Sequence, residues 1–138
     1  MSKKCDCIGI LCNAGINYHD AWQLRRDAMA LHRWFELECG DGNDYGSWAI
    51  ERDETDNKLY MVHHSYASAK TVTTRRRIAD RETPAVARIK AVMAKYPDFL
   101  PYIQGDPRGA PLYIVRKADI PEGKELDAYY SRGIAVYK

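Results

Sequence analysis

Asn17-Tyr18-His19-Asp20-Ala21-Trp22-Gln23-Leu24-Arg25-Arg26-Asp27-Ala28-Met29-Ala30-Leu31-His32-Arg33-Trp34-Phe35 is the stretch that decides the fold. Ala21, Leu24, Ala28, Leu31 and Phe35 recur at helical spacing and make one apolar stripe. Trp22 and Trp34 flank the stripe, while Arg25, Arg26, Arg33 and Glu36 fall largely outside it. Asn17 is placed to cap the helix, because its side-chain oxygen can accept from an exposed N–H of the first turn. Asp20 puts negative charge where the helix dipole favours it. Cys39-Gly40 ends the pattern, with glycine free to take a left-handed conformation, and Asp41 to Gly46 has loop composition. A helix apolar along one stripe must bury it against a second layer.

That layer is legible on the C-terminal side. Trp48 to Arg52 and Leu59 to His63 read as two strands of a hairpin, joined by Asp53-Glu54-Thr55-Asp56-Asn57-Lys58, which is turn chemistry. Ser65 to Arg77 has little periodicity and reads as an extended, exposed segment. Thr83-Pro84 is a helix start, with Thr83 as the cap and proline at the first helical position. Val86, Ile89, Met93 and Tyr96 give that helix an apolar face, Arg88 and Lys95 point away from it, and Pro97 stops it near Tyr96. Phe99 to Gln104, Pro111 to Arg116 and Gly133 to Tyr137 read as three more strands, and Lys124 to Tyr130 as a short helix. On the N-terminal side, Ile8, Ile10 and Cys12 alternate with Cys7, Gly9 and Leu11, so residues 1–16 are expected to form a peripheral strand or a flexible arm. The expected fold class is α+β: a single two-layer domain over 1–138, an antiparallel sheet with two main helices packed on it.

The chain has 138 residues, of which 46% are hydrophobic and 29% charged, ordinary usage for one globular domain. No run approaches the length of a transmembrane helix, so no membrane association is expected. The apolar stretch Ile8 to Cys12 is too short for a signal peptide, and a cytoplasmic location is expected. The net charge is +2, below the level of a dedicated nucleic-acid binder. It is distributed unevenly along the chain. Residues 41–66 carry two basic and six acidic side chains, whereas residues 67–100 carry eight basic and three acidic.

Four constellations could carry chemistry. Cys5, Cys7, Cys12 and Cys39 include a C-x-C-x4-C run, which is not the paired C-x2-C spacing of zinc sites. Reduced, partly buried thiols are therefore expected, with no metal and no cofactor. His32, Glu36 and Cys39 lie on one helical face and could build an acid–base or metal site. Without the second histidine of the H-E-x-x-H motif, His32 and Glu36 read as an ordinary surface pair. His63 and His64 are strand neighbours pointing to opposite faces, so they cannot chelate one ion; either could titrate near neutral pH.

The arginines are the best anion-site candidates. Arg75, Arg76, Arg77 and Arg81 follow threonines and precede a helix start; guanidinium forks, hydroxyls and a helix N-terminus all suit phosphate oxygens. Asp80 and Glu82 compete by pairing with them, and a solvated charged loop is the plainer interpretation. Asp106 and Arg108, in Gln104-Gly105-Asp106-Pro107-Arg108-Gly109, and Arg132, in Tyr129-Tyr130-Ser131-Arg132-Gly133, would approach one another if the strands they precede were neighbours. No Gly-rich phosphate loop, nucleophile elbow or kinase signature occurs.

Leu31 to Gly40, Ile50 to Glu54, Ala79-Asp80-Arg81-Glu82, Tyr102 to Gly109 and Tyr129 to Tyr137, taken together, resemble a family of small proteins from tailed bacteriophages and prophages. The resemblance runs from about His19 to the C-terminus. It implies a phage origin and the cytoplasm of an infected bacterium, and it carries over no catalytic residue. The expectation is a non-catalytic accessory protein acting in anti-defence or host interaction. It would bind a phosphate-bearing ligand, either nucleic acid or nucleotide, or a host or defence-system protein, and could form a homo-oligomer. The alternative is a small hydrolase or nucleotide-processing enzyme using His32, Glu36, His63 or His64.

Overall fold

The computed structural model describes residues 7–38, 46–65, 72–104, 112–120 and 133–136. The chain opens with a short helix, α1 (Cys7–Asn13), followed by the long helix α2 (Tyr18–Glu38). Strands β1 (Gly46–Arg52), β2 (Leu59–Ser65) and β3 (Val72–Arg77) come next. A 3₁₀ turn (Asp80–Glu82) leads into α3 (Thr83–Met93). Strands β4 (Phe99–Gln104), β5 (Leu112–Arg116) and β6 (Gly133–Val136) complete one six-stranded sheet in the order β3-β2-β1-β6-β4-β5. Every neighbouring pair is antiparallel except β1 and β6, which run parallel with Trp48 opposite Ile134 and Ile50 opposite Val136. The expected α+β architecture is observed, with that one parallel pair at the centre.

The helices cover one face of the sheet. Leu24, Leu31 and Phe35 of α2 and Val86 and Ile89 of α3 are buried with Ile50, Met61, Ile103, Leu112 and Ile134 from the strands. On the opposite face Tyr102, Val115 and Ala135 form a second buried cluster, joined by Leu100, Tyr113 and Ile120.

The N-terminal segment departs from the strand expectation. Leu11 is fully buried whereas Ile10 is 40% exposed, and Ile8 and Cys12 pack on the core. Positions 8, 11 and 12 share a helical face, so the period is 3.6 and not 2. The helix then ends in a Schellman motif. Ile16 N–H donates to Leu11 O at 3.0 Å and Gly15 N–H to Cys12 O at 3.0 Å, with Gly15 at φ +107°. Ile16 and Leu11 are both buried, which supplies the apolar contact this cap favours.

Asn17 caps α2 as its type suggests: its Oδ1 accepts from Asp20 N–H at 2.8 Å. Thr83 does not cap α3. It is the first helical residue, and its hydroxyl donates to Asp80 O at 2.9 Å, extending the 3₁₀ turn instead. The helix stops at Met93, three residues short of Tyr96. The segment expected to be extended and exposed supplies β3, because it pairs with β2 from Tyr60–Arg77 to Ser65–Val72 and forms the sheet edge. Its three arginines blunt that edge against pairing with another chain.

Arg88 and Lys95 are exposed, as expected of side chains facing away from the apolar stripe, yet both reach back to carboxylates of α2. Arg88 Nη2 donates to Asp27 Oδ1 at 2.8 Å and its Nε lies 3.0 Å from the same oxygen, while Gln23 donates to Asp27 Oδ2 at 2.7 Å. Lys95 lies 3.3 Å from Asp20. Tyr96 OH donates to Asp20 Oδ2 at 3.0 Å and accepts from Asn17 N–H at 3.1 Å. The reason is tertiary: α2 turns Asp20 and Asp27 inward, and a buried carboxylate requires partners.

Candidate anion-binding cleft

β1 and β3 finish, and β2 begins, at the same end of the sheet, beside the first turns of α3. Arg52, Lys58, Arg77 and Lys90 converge there on a cleft of about 360 Å³. Its floor is apolar, from Leu59, Ile78 and Val86, and Thr83 and Pro84 bring the start of α3 to its wall. Among the described residues Asp80 is the one carboxylate in the lining.

Each cation is placed by local structure. The hairpin turn closes by Asp53 N–H donating to Lys58 O and Asn57 N–H to Asp53 O, both at 2.8 Å. Asn57 takes φ +60°, a conformation that asparagine tolerates better than most residues. Arg52 donates to Asn57 O at 3.1 Å, which holds its guanidinium over the turn. Arg77 Nη2 pairs with Asp80 Oδ1 at 2.5 Å, with both side chains largely in water. Lys90 is half-buried; desolvation, and then the positive charge of Arg52, push its ammonium below the ordinary lysine range. An anion in the cleft would relieve both effects, because it supplies the counter-charge that water no longer provides. The positive end of the α3 dipole, at Thr83 and Pro84, favours an anion at that wall of the cleft.

The sequence-derived arginines separate in space. Arg77 belongs to the cleft. Arg75 pairs with Asp53 at 2.6 Å and lies over the Tyr60 ring at 4.1 Å, on the strand face away from the helices. Hydrogen bonds from Thr55 and Arg75 hold the Asp53 carboxyl well below the usual carboxylate range. Arg76 lies opposite Met61 on the helix side of the edge strand and is exposed. Arg81 pairs with its neighbour Glu82 at 3.5 Å. Asp106, Arg108 and Arg132 lie outside the described residues. The strands that follow Arg108 and Arg132 are not neighbours, since β4 lies between β5 and β6; both strands start at the end where β4 finishes.

Two of the histidine candidates, His32 and His63, are described, and both are buried. His32 is 7% exposed. His63 is buried and stacks on Trp48 at 4.2 Å between ring centroids, and Trp48 in turn meets Phe35 edge-on at 5.1 Å. The side chains of Glu36 and His64 lie outside the described set. Cys12 is half-buried against the core; Cys5, Cys39 and the Cys7 side chain lie outside the described set. Among the described residues no group of three His, Cys, Asp or Glu could hold a metal ion, and no helix is long and apolar enough to cross a membrane.

Sequence reasoning missed Arg52, Lys58 and Lys90. Lys90 had a signal: it sits four residues after Val86 and three before Met93, on the apolar face of α3, where a charged residue calls for an explanation. Arg52 and Lys58 carried none, because hairpin ends are charged in most proteins. No protein-family model, no curated protein and no solved structure matches the chain. Fold and site together define an α+β protein with a cationic cleft at one end of a mixed sheet.

Proposed function

We propose that this protein is a non-catalytic binding module that holds the phosphate of a nucleotide or nucleic acid in the cleft beside α3. The observation that carries this reading is the convergence of Arg52, Lys58, Arg77 and half-buried Lys90 against a single carboxylate. Arginine forks and a lysine ammonium suit phosphate oxygens. In the phage setting that the sequence resemblance implies, such a module acts in anti-defence or host interaction within an infected bacterium. The test is titration with a nucleoside triphosphate and with a short single-stranded oligonucleotide at rising salt. Affinity falls with salt, and Arg52→Ala together with Arg77→Ala lowers both affinity and salt slope, by about one unit per lost phosphate contact. Absence of salt-dependent binding to either probe overturns the reading.

One observation favours a host-protein partner as the second reading. Tyr18 is 66% and Trp22 40% exposed on α2, their rings edge-on at 6.2 Å, with Arg25 over Trp22 at 5.6 Å. Exposed aromatic and arginine side chains are the residues that dominate protein interfaces.

A further inference from the structure

Lys90 also bounds a second cavity. Toward the C-terminal half of α3, the side chains of Met93, Phe99 and Val136, with Pro97 and Pro101, wall a space that is also about 360 Å³. Lys117 stands at its rim, and among the described residues no carboxylate lines it. The two spaces lie at the same end of the sheet, where β1 and β6 finish side by side and β4 starts. We propose that they form one binding site for an organic phosphate with an apolar body. The phosphate sits among Arg52, Arg77 and Lys90, and the body lies over Met93, Phe99 and Val136. This inference rests on the phosphate-binding reading above and names the ligand class.

Three arguments support a single occupant. Lys90 is the shared wall, and a lysine can present its ammonium to an anion while its methylene stem lines an apolar surface. The two linings are complementary in chemistry: cations dominate one, and carbon surface flanked by lysines makes up the other. Such a lining matches a molecule that is anionic at one end and apolar at the other, with no internal cation. Size agrees as well. Inorganic phosphate has five non-hydrogen atoms and leaves most of either space to water. The two spaces together fall within the roughly 300–1,000 Å³ of sites that enclose small organic ligands.

The experiment compares inorganic phosphate, phenyl phosphate and n-hexyl phosphate on the full chain, followed by amide chemical shifts in an NMR titration. At least one organic phosphate binds tenfold or more tightly than inorganic phosphate, and which of the two gains more separates a planar body from an aliphatic one. Ala94→Phe fills the second cavity from an exposed rim position, so the fold is retained, as matching amide dispersion verifies. That variant loses the tenfold gain and keeps the affinity for inorganic phosphate. Equal affinities for all three probes, or a gain that survives Ala94→Phe, overturns the joint site while leaving the phosphate cleft standing. No binding of any of the three overturns the phosphate reading itself.

Discussion

Arg88, an exposed residue of α3, reaches across to Asp27 of α2 and donates from Nε and Nη2 to one carboxylate that is only 2% exposed. The pair is asymmetric, with one partner in water and the other in the interior. Removing the exposed partner strands a buried charge, whereas removing the buried one releases a guanidinium into solvent. Arg88→Met therefore destabilises the fold more than Asp27→Leu does. Urea denaturation of the two variants checks the order, and the reverse order would show that Asp27 is solvated in the absence of its partner.

The second contact, from α2 to the turn that follows α3, carries a pH dependence. Burial pushes the Asp20 carboxyl up, but hydrogen bonds from Tyr96, Lys95 and Asn17 outweigh it and hold the group below its ordinary value of 3.8. A depressed folded value means that the unfolded chain binds the proton more tightly. The stabilisation is complete above the ordinary value and is lost as pH falls through the folded one. Tyr96→Phe removes one of these hydrogen bonds and flattens the loss of Tm below about pH 4. A Tm–pH profile as steep as that of the parent chain would exclude this assignment.

Lys90 has the same pH slope as Asp20 but the opposite contribution at neutral pH, where its charge destabilises the fold. Its ammonium is held below the ordinary 10.5, so between the folded value and 10.5 the unfolded state binds more protons, and stability rises with pH across that window. Without ligand, Lys90→Met raises Tm at neutral pH, because the desolvated charge is gone. The same variant loses affinity for inorganic phosphate. Calorimetry with and without phosphate measures both effects, and a variant that is less stable and binds phosphate unchanged would remove Lys90 from the site.

Leu11 and Ile10 distinguish a helix from a strand at the N-terminal end. Leu11→Ala empties a fully buried position and costs about 2–5 kcal/mol, whereas Ile10→Ala, at 40% exposure, stays within about 1 kcal/mol. Equal costs for the two would contradict the helical face formed by Ile8, Leu11 and Cys12.

Much of the candidate site was hidden for a physical reason. Arg77 belonged to a run of three arginines and drew notice, but alternation along β3 puts Arg76 on the other face, Arg75 is taken up by Asp53 and Tyr60, and Arg77, at the end of the strand, reaches the cleft. Charge counts along the chain do not show which arginine meets which carboxylate. The same holds for α2, where Asp20 and Asp27 looked like ordinary helix acids and are instead the buried halves of contacts to the turn after α3 and to α3 itself.

The sequence by itself determined α2, the β1–β2 hairpin, the start of α3 and the positions of β4, β5 and β6. Those features rest on apolar period, caps and turn residues, which act over a few neighbouring positions. Only the tertiary structure decided that residues 7–13 are helical, that residues 72–77 become an edge strand, and that β6 inserts between β1 and β4. It also decided that Arg52 of β1, Lys58 of the hairpin turn, Arg77 of β3 and Lys90 of α3 face one cleft. Pairing between distant strands and the burial of a short helix depend on surfaces that exist only after the rest of the chain has packed. No local pattern encodes them.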